Sequence, residues 1–199
     1  MAPYGTPFNM PPFDKISNSD YLPAFEEGIR QHNHEIDAII NNRAVADFDN
    51  TIAALDNAGQ LLENVTYVFN GLYDACSTPE LQTLGEQILP MLSKHNDEVM
   101  MNERVFSRVK QVYDNRKKLN LTKPQERLLE KYYKQMVRCG ALPSPEKKAQ
   151  LKDINEQLAA ANLKFGNNIV TDTNNWRMVV DNDADLAGLT DSSIAQAAA

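Results

Sequence analysis

Apolar residues recur at helical spacing along most of the chain. Leu22, Phe25, Ile29, Ile36 and Ile40 fall three, four and seven apart, which places them on one helix face. Asp20 is read as the cap of that helix, with Pro23 in its first turn and an end near Asn42. From about Asn50 a second stripe runs through Ile52, Leu55, Leu62, Val65, Phe69 and Leu72, with Gly59 on its buried side allowing close helix approach. Thr78-Pro79-Glu80 is a start signal: a cap, a proline in the first turn and an acid at the positive end of the helix. Leu81, Leu84, Ile88, Met91 and His95 line one side of that helix, and Pro90 predicts a kink. A break is expected near Asn102, between a run starting at Val99 and its continuation through Val105, Val109 and Val112, with Phe106 and Tyr113 beside it. Thr122 with Gln125 forms a capping box, and Gly140 is read as a left-handed cap at the other end. Ser144-Pro145-Glu146 repeats the start signal. The stripe Leu151, Ile154, Leu158, Ala161, Phe165 and Ile169 then predicts a long helix to about Asp172.

The two ends differ from this pattern. Pro3, Pro7, Pro11 and Pro12 exclude a helix from the first 18 residues, and Phe8, Phe13 and Ile16 predict an extended leader lying along the surface. Trp176-Arg-Met-Val-Val180 reads as a strand. Thr190 or Asp191 caps a short helix running out in Ala197-Ala198-Ala199. No second strand is evident, and a lone strand leaves its backbone groups unpaired. Its partner is therefore expected beyond residue 199. The expected fold is all-α: an antiparallel, bundle-like N-terminal fragment with one short C-terminal β-strand. Its divisions are a leader at 1–18, a helical domain at 19–175, and the start of a truncated remainder at 176–199. No fixed-period repeat is present.

Composition narrows the classes. The 199 residues carry 20 basic and 27 acidic side chains, a net charge of −7. That balance argues against nucleic acid as a main partner. Apolar runs are too short for a membrane-spanning helix. Met-Ala-Pro-Tyr-Gly at the N-terminus has neither a basic stretch nor an apolar core of a signal peptide, so a cytoplasmic or periplasmic location is expected. Cys76 and Cys139 form no motif and read as two thiols.

Catalytic candidates are thin. His32 and His34 point roughly 200° apart on a helix, so they do not share one metal. H-E-x-x-H, G-x-S-x-G, the P-loop and paired C-x-x-C are all absent. His32-x-x-Glu35 and His95-x-x-Glu98 resemble half of a di-iron motif with the order reversed. They are read as solvent-facing polar residues. Arg116-Lys117-Lys118 complements a helix C-terminus, and Lys147-Lys148 is solvated. Tyr132-Tyr133 reads as a half-buried helix pair, and Trp176 as packing the strand onto the helices. The sequons at Asn64 and Asn120 matter only in a eukaryotic secretory setting. No catalytic, cofactor-binding or metal residue is assigned.

An ordered set of short segments nevertheless resembles a family. Pro12-Phe13, Tyr21-Leu22-Pro23-Ala24-Phe25-Glu26 and Asp47-Phe48-Asp49-Asn50-Thr51-Ile52 come first. Leu89-Pro90, the Phe106 region, Arg138-Cys139-Gly140-Ala141, Phe165 with Asn168, and Leu186-Ala187-Gly188-Leu189 follow in order. Together they resemble the opening of the thimet-oligopeptidase-type zinc metallopeptidases, from about residue 12 onward. Asp47-Phe48, with Gly59-Gln60-Leu61-Leu62 and Val65-Thr66, is most similar to the bacterial peptidyl-dipeptidase branch, which removes C-terminal dipeptides. Ala46 stands where that family commonly has proline.

The resemblance implies a helical wall of a deep channel that admits short peptides. It also implies zinc in a full-length parent, held several hundred residues further on, and no catalysis by this chain alone. A free-standing helical interaction module is the alternative, and a helical metal-storage or redox bundle a weaker third. Self-association through the unpaired edge at Trp176–Val180 is expected as well.

Overall fold

The computed structural model describes residues 4–76, 78–142 and 144–197. The chain forms two compact units, Met1–Lys164 and Phe165–Ala199.

In the first unit, α1 spans Asn18–Ile40. Its cap is Ser17 rather than Asp20, because the Asp20 carboxylate reaches back to accept the Ser17 N–H at 2.8 Å. That bond holds the Asp20 carboxyl below its ordinary pKa. Pro23 consequently falls past the first turn, inside the helix. The segment before α1 is not simply extended: short turns form at Pro7–Asn9 and Phe13–Lys15. Phe8 is almost wholly exposed, while Ile16 packs on the core. Pro3 lies outside the described residues.

The second predicted helix divides in three. A π-type turn, Phe48–Ala53, runs into α2 (Ala54–Asn57), and α3 (Gln60–Ala75) restarts after Ala58 turns extended and Gly59 turns left-handed. The turn opens on a reciprocal cap, in which Asp47 Oδ1 accepts the Asn50 N–H at 2.8 Å and Asn50 Oδ1 accepts the Asp47 N–H at 3.1 Å. The apolar stripe continues across the break, so periodicity alone hides it.

Helix α4 (Pro79–Met100) starts as expected, with Thr78 Oγ1 accepting the Leu81 N–H. Asn102 separates it from α5 (Glu103–Asn115) by capping Arg104 and Val105. Helix α6 (Lys123–Arg138) opens on the Thr122–Gln125 box. It closes with Gly140 at φ +95°, Gly140 N–H on Val137 O and Ala141 N–H on Met136 O.

Two apolar clusters form. One gathers Tyr21, Phe25, Leu62, Phe69, Leu81 and Ile88, with Phe69 in edge contact with both Tyr21 and Phe25. The other centres on Ile52, Val105, Val109, Val112, Leu129 and Met136. Helix α1 contributes to both and packs against α3, α4 and α5. A Cβ on Gly28 would lie 3.0 Å from the Leu62 Cα, so the α1–α3 approach depends on that glycine.

Helix α7 runs from Pro145 to Asn175, across the division between the units. In the first unit its early turns are tied down by polar contacts. Lys148 Nζ donates to Glu103 Oε1 at 2.9 Å, and Asn155 Nδ2 to Asp97 Oδ2 at 2.9 Å. Lys148 is therefore buried, not solvated. The predicted stripe is uncovered beyond Leu151: Ile154 and Leu158 are both more than half exposed.

In the second unit, Phe165 and Ile169 are likewise exposed on α7. A turn at Asp183–Leu186 and α8 (Asp191–Ala197) follow. Ala198 and Ala199 lie outside the described residues. Trp176–Val180 forms no strand, which corrects the expected fold to an all-helical one among the described residues. Strand propensity reflects fit against neighbouring strands, and this segment has none beside it. Trp176 is 70% exposed and packs no strand onto helices. Self-association through Trp176–Val180 has no strand edge to rest on.

Candidate functional site

The first unit holds a cavity of about 540 Å³, open to solvent on one side and bordered by α1–α6. His32 of α1 and His95 of α4 meet there, with His32 Nδ1 2.9 Å from His95 Nε2 and the rings edge to face. Both were expected to face solvent with their neighbouring glutamates. His95 instead is 5% exposed, and His32 is half-buried. The sequence did hold a signal. His95 continues the stripe of Leu84, Ile88 and Met91, and His32 sits between Ile29 and Ile36 at helical spacing. Glu98 and His34 remain exposed. Glu35 does not pair with a histidine; its carboxylate accepts the Gly59 N–H at 2.6 Å.

Gly59 makes this arrangement possible. Its φ is +78°, and a Cβ there would lie 3.1 Å from His32 Nδ1. Burial pushes both imidazole pKa values down; the charge of His32 lowers that of His95 further, while Glu35 and Glu98 oppose the shifts on His32 and His95 respectively. One hydrogen lies between the rings, and His95 Nδ1 has no hydrogen-bond partner.

Two carboxylates line the same cavity, each held by a phenol. Tyr132 Oη donates to Asp56 Oδ1 at 3.0 Å, and Tyr67 Oη to Glu63 Oε1 at 2.9 Å. Burial, first, and Asp56 push the Tyr132 phenol well above the ordinary range. Tyr133 points elsewhere, stacking on Tyr113 at 3.9 Å, and the Arg116 guanidinium lies over the Tyr113 ring. Cys76 and Cys139 are free, and burial raises the Cys139 thiol, which leaves it a poor nucleophile.

Two imidazoles bonded to each other do not make a zinc site, which needs at least three protein ligands. Among the described residues no group of three or more His, Cys, Asp or Glu gathers to hold a metal. Nor is any helix among them long and apolar enough to cross a membrane. The cavity has an apolar body, with Asp56 and Glu63 on its exposed side.

No protein-family model matches the chain. Individual sequences do, over almost all of it. The relatives it matches are peptidases named dipeptidyl carboxypeptidase and oligopeptidase A, and the chain spans under a third of their length. It is 37% identical over 192 residues to the dipeptidyl carboxypeptidase of Escherichia coli, covering 96% of this chain and 28% of that protein. It is 24% identical over 197 residues to Escherichia coli oligopeptidase A, covering 99% of this chain and 29% of the relative. An organellar oligopeptidase A of Arabidopsis thaliana is 22% identical over 187 residues, covering 94% of this chain and 24% of that protein.

Proposed function

We propose that this chain is the N-terminal helical wall of the substrate channel in a zinc metallopeptidase that removes C-terminal dipeptides from short peptides. The observation that carries the reading is the coverage: 96% of the chain aligns with 28% of a dipeptidyl carboxypeptidase. A segment that aligns so fully over so small a share of a peptidase supplies architecture to chemistry housed elsewhere. The uncovered apolar side chains of Ile154 and Leu158 agree with a surface that a larger protein would cover. The chain alone is catalytically silent in this reading, because it holds no H-E-x-x-H to bind zinc and activate water.

A hybrid enzyme tests this. The matching segment of the Escherichia coli dipeptidyl carboxypeptidase is replaced by this chain, and dipeptide release from short peptides is measured with zinc present. Release by the hybrid, with none by the isolated zinc-supplied chain, is the expected result. A folded, zinc-loaded hybrid without activity, or hydrolysis by the isolated chain, would overturn the reading.

A further inference from the structure

Charge is unevenly distributed along the chain. Residues 103–138 hold 11 of its 20 basic side chains and four of its 27 acidic ones, a local net charge of +7 in a protein whose total is −7. Helix α6 gathers that excess on one line. Lys123, Arg127, Lys131, Lys134 and Arg138 fall within an arc of about 80°, at roughly 100° of rotation per residue. They follow one another at steps of about 4.5–6 Å and span about 22 Å of the helix. All five are exposed, on the side away from the buried Leu129 and Met136. Arg127, Lys131 and Lys134 line one shallow recess together. Glu130, at the edge of the arc, pairs with Lys134 at 2.7 Å, and the other four cations form no ion pair among the described residues. The Lys134 hydrogen bond, with the charges of Lys134, Arg116 and Arg127 behind it, holds the Glu130 carboxyl below its ordinary pKa. The one acid beside the line is outweighed.

The shape of the line selects among anionic partners. A duplex groove sets phosphates on both sides of an inserted helix, and the flank of α6 that carries Glu126 and Glu130 would face one of its walls. A nucleic-acid single strand is held by aromatic side chains on which its bases stack, and every position of this arc is a lysine or an arginine. A plane laid along the helix meets all five cations at once. With no apolar side chain in the arc, such contact is adsorption without insertion. Acidic headgroups of a bilayer diffuse and collect beneath a fixed row of cations, and a cluster of four to eight Lys or Arg on a helix is the pattern such a surface attracts. The acidic remainder of the chain opposes this weakly, because a Debye length of about 8 Å confines the repulsion to groups near the plane.

We propose that the outer face of α6 docks on a bilayer surface of anionic lipids through Lys123, Arg127, Lys131, Lys134 and Arg138. The helix lies flat on the headgroups while Leu129 and Met136 stay in the core. The inference uses only the charge and position of α6 and does not rest on the channel-wall reading.

The test is cosedimentation of the whole 199-residue chain with vesicles at low salt. One set of vesicles is phosphatidylcholine alone, and the other contains phosphatidylglycerol as well. The expected result is binding to the anionic set only, lost as salt is raised. Arg127→Gln, Lys131→Gln and Lys134→Gln together take three cations from the line. Arg30→Gln, Arg43→Gln and Lys94→Gln together take three exposed cations from elsewhere, with the same change in net charge. The first triple variant should weaken binding about tenfold or more, at about fivefold per cation near the surface, and the second less than about twofold. An unchanged urea midpoint shows that each variant is folded. Absence of binding to the anionic vesicles, equal binding to the neutral ones, equal losses in the two triple variants, or tighter binding to a DNA duplex than to the anionic vesicles would each overturn the proposal.

Discussion

Arg108 Nη2 donates to Asn50 Oδ1 at 2.8 Å, joining α5 to the turn that precedes α2. The same guanidinium reaches the Asn42 carbonyl at 2.9 Å, so one side chain pins both ends of the α1–α2 connection. Asn50 in turn donates its Nδ2 to the Val45 carbonyl. A segment that carries family resemblance is therefore a loop lock. We expect Asn50→Ala and Arg108→Ala each to destabilise the chain by about 1–3 kcal/mol. A double-mutant cycle in urea should give a coupling of about 0.5–3 kcal/mol. Additive losses would mean that the bond contributes nothing.

The histidine pair makes stability depend on pH. Burial depresses both imidazole pKa values, so the unfolded chain binds protons more readily than the folded one. The contribution is fully present above pH 6.5, the ordinary histidine value, and is lost as pH falls below it through the depressed folded values. The charges of Glu35 on His32 and of Glu98 on His95 limit the loss, and Asp56 and Glu63 line the same cavity. Melting temperature should drop by roughly 2–4 °C for each 1 kcal/mol lost between pH 7 and pH 5. His95→Leu should flatten that dependence. An unchanged slope in the variant would place the titrating groups elsewhere.

Leu129 and Leu158 share a residue type and differ in surroundings. Leu129 is fully buried and Leu158 is 55% exposed. Leu129→Ala should cost about 2–5 kcal/mol and Leu158→Ala about 0.5 kcal/mol or less. Chemical denaturation of both variants measures this. A large loss at Leu158 would show that α7 is covered in the isolated chain.

Trp176 reports on its own segment. At 70% exposure its emission should be red-shifted and readily quenched by iodide, and neither property should change with protein concentration. A blue-shifted, protected Trp176 would restore a packed strand.

Much of the fold was legible because its signals are local. Thr122 with Gln125, Thr78 with Pro79, and Gly140 each act within a few residues, and each stands where the spacing put it. The π-type turn and the break at Ala58–Gly59 were hidden, because the apolar stripe crosses them without losing phase. The site was less legible than the fold. His32 and His95 lie 63 residues apart, and only packing of α1 on α4 brings their rings together. Polarity argued for solvent at both positions and helical phase argued for burial; the phase prevailed. At Ile154 and Leu158 the phase correctly marked an apolar face but carried no information on what covers it. The Trp176–Val180 segment failed for the converse reason, since propensity names a willing strand but cannot supply its neighbour.

Helix α1 contributes to both apolar clusters, and its partners α3, α4 and α5 all come later in the chain. Synthesis proceeds from the N-terminus, so Tyr21 and Phe25 leave the ribosome before Phe69 exists, and Ile36 before Val105. At roughly 5–20 residues per second, the interval between finishing α1 and finishing α5 is about 4–15 s. The Tyr21–Phe25 face of α1 waits for α3 and its Ile36–Ile39 face waits for α5, so part of the amphipathic helix stays uncovered for the whole interval. An order of synthesis that delivers the shared helix first makes that stretch of the nascent chain the place where a chaperone that binds apolar faces would act.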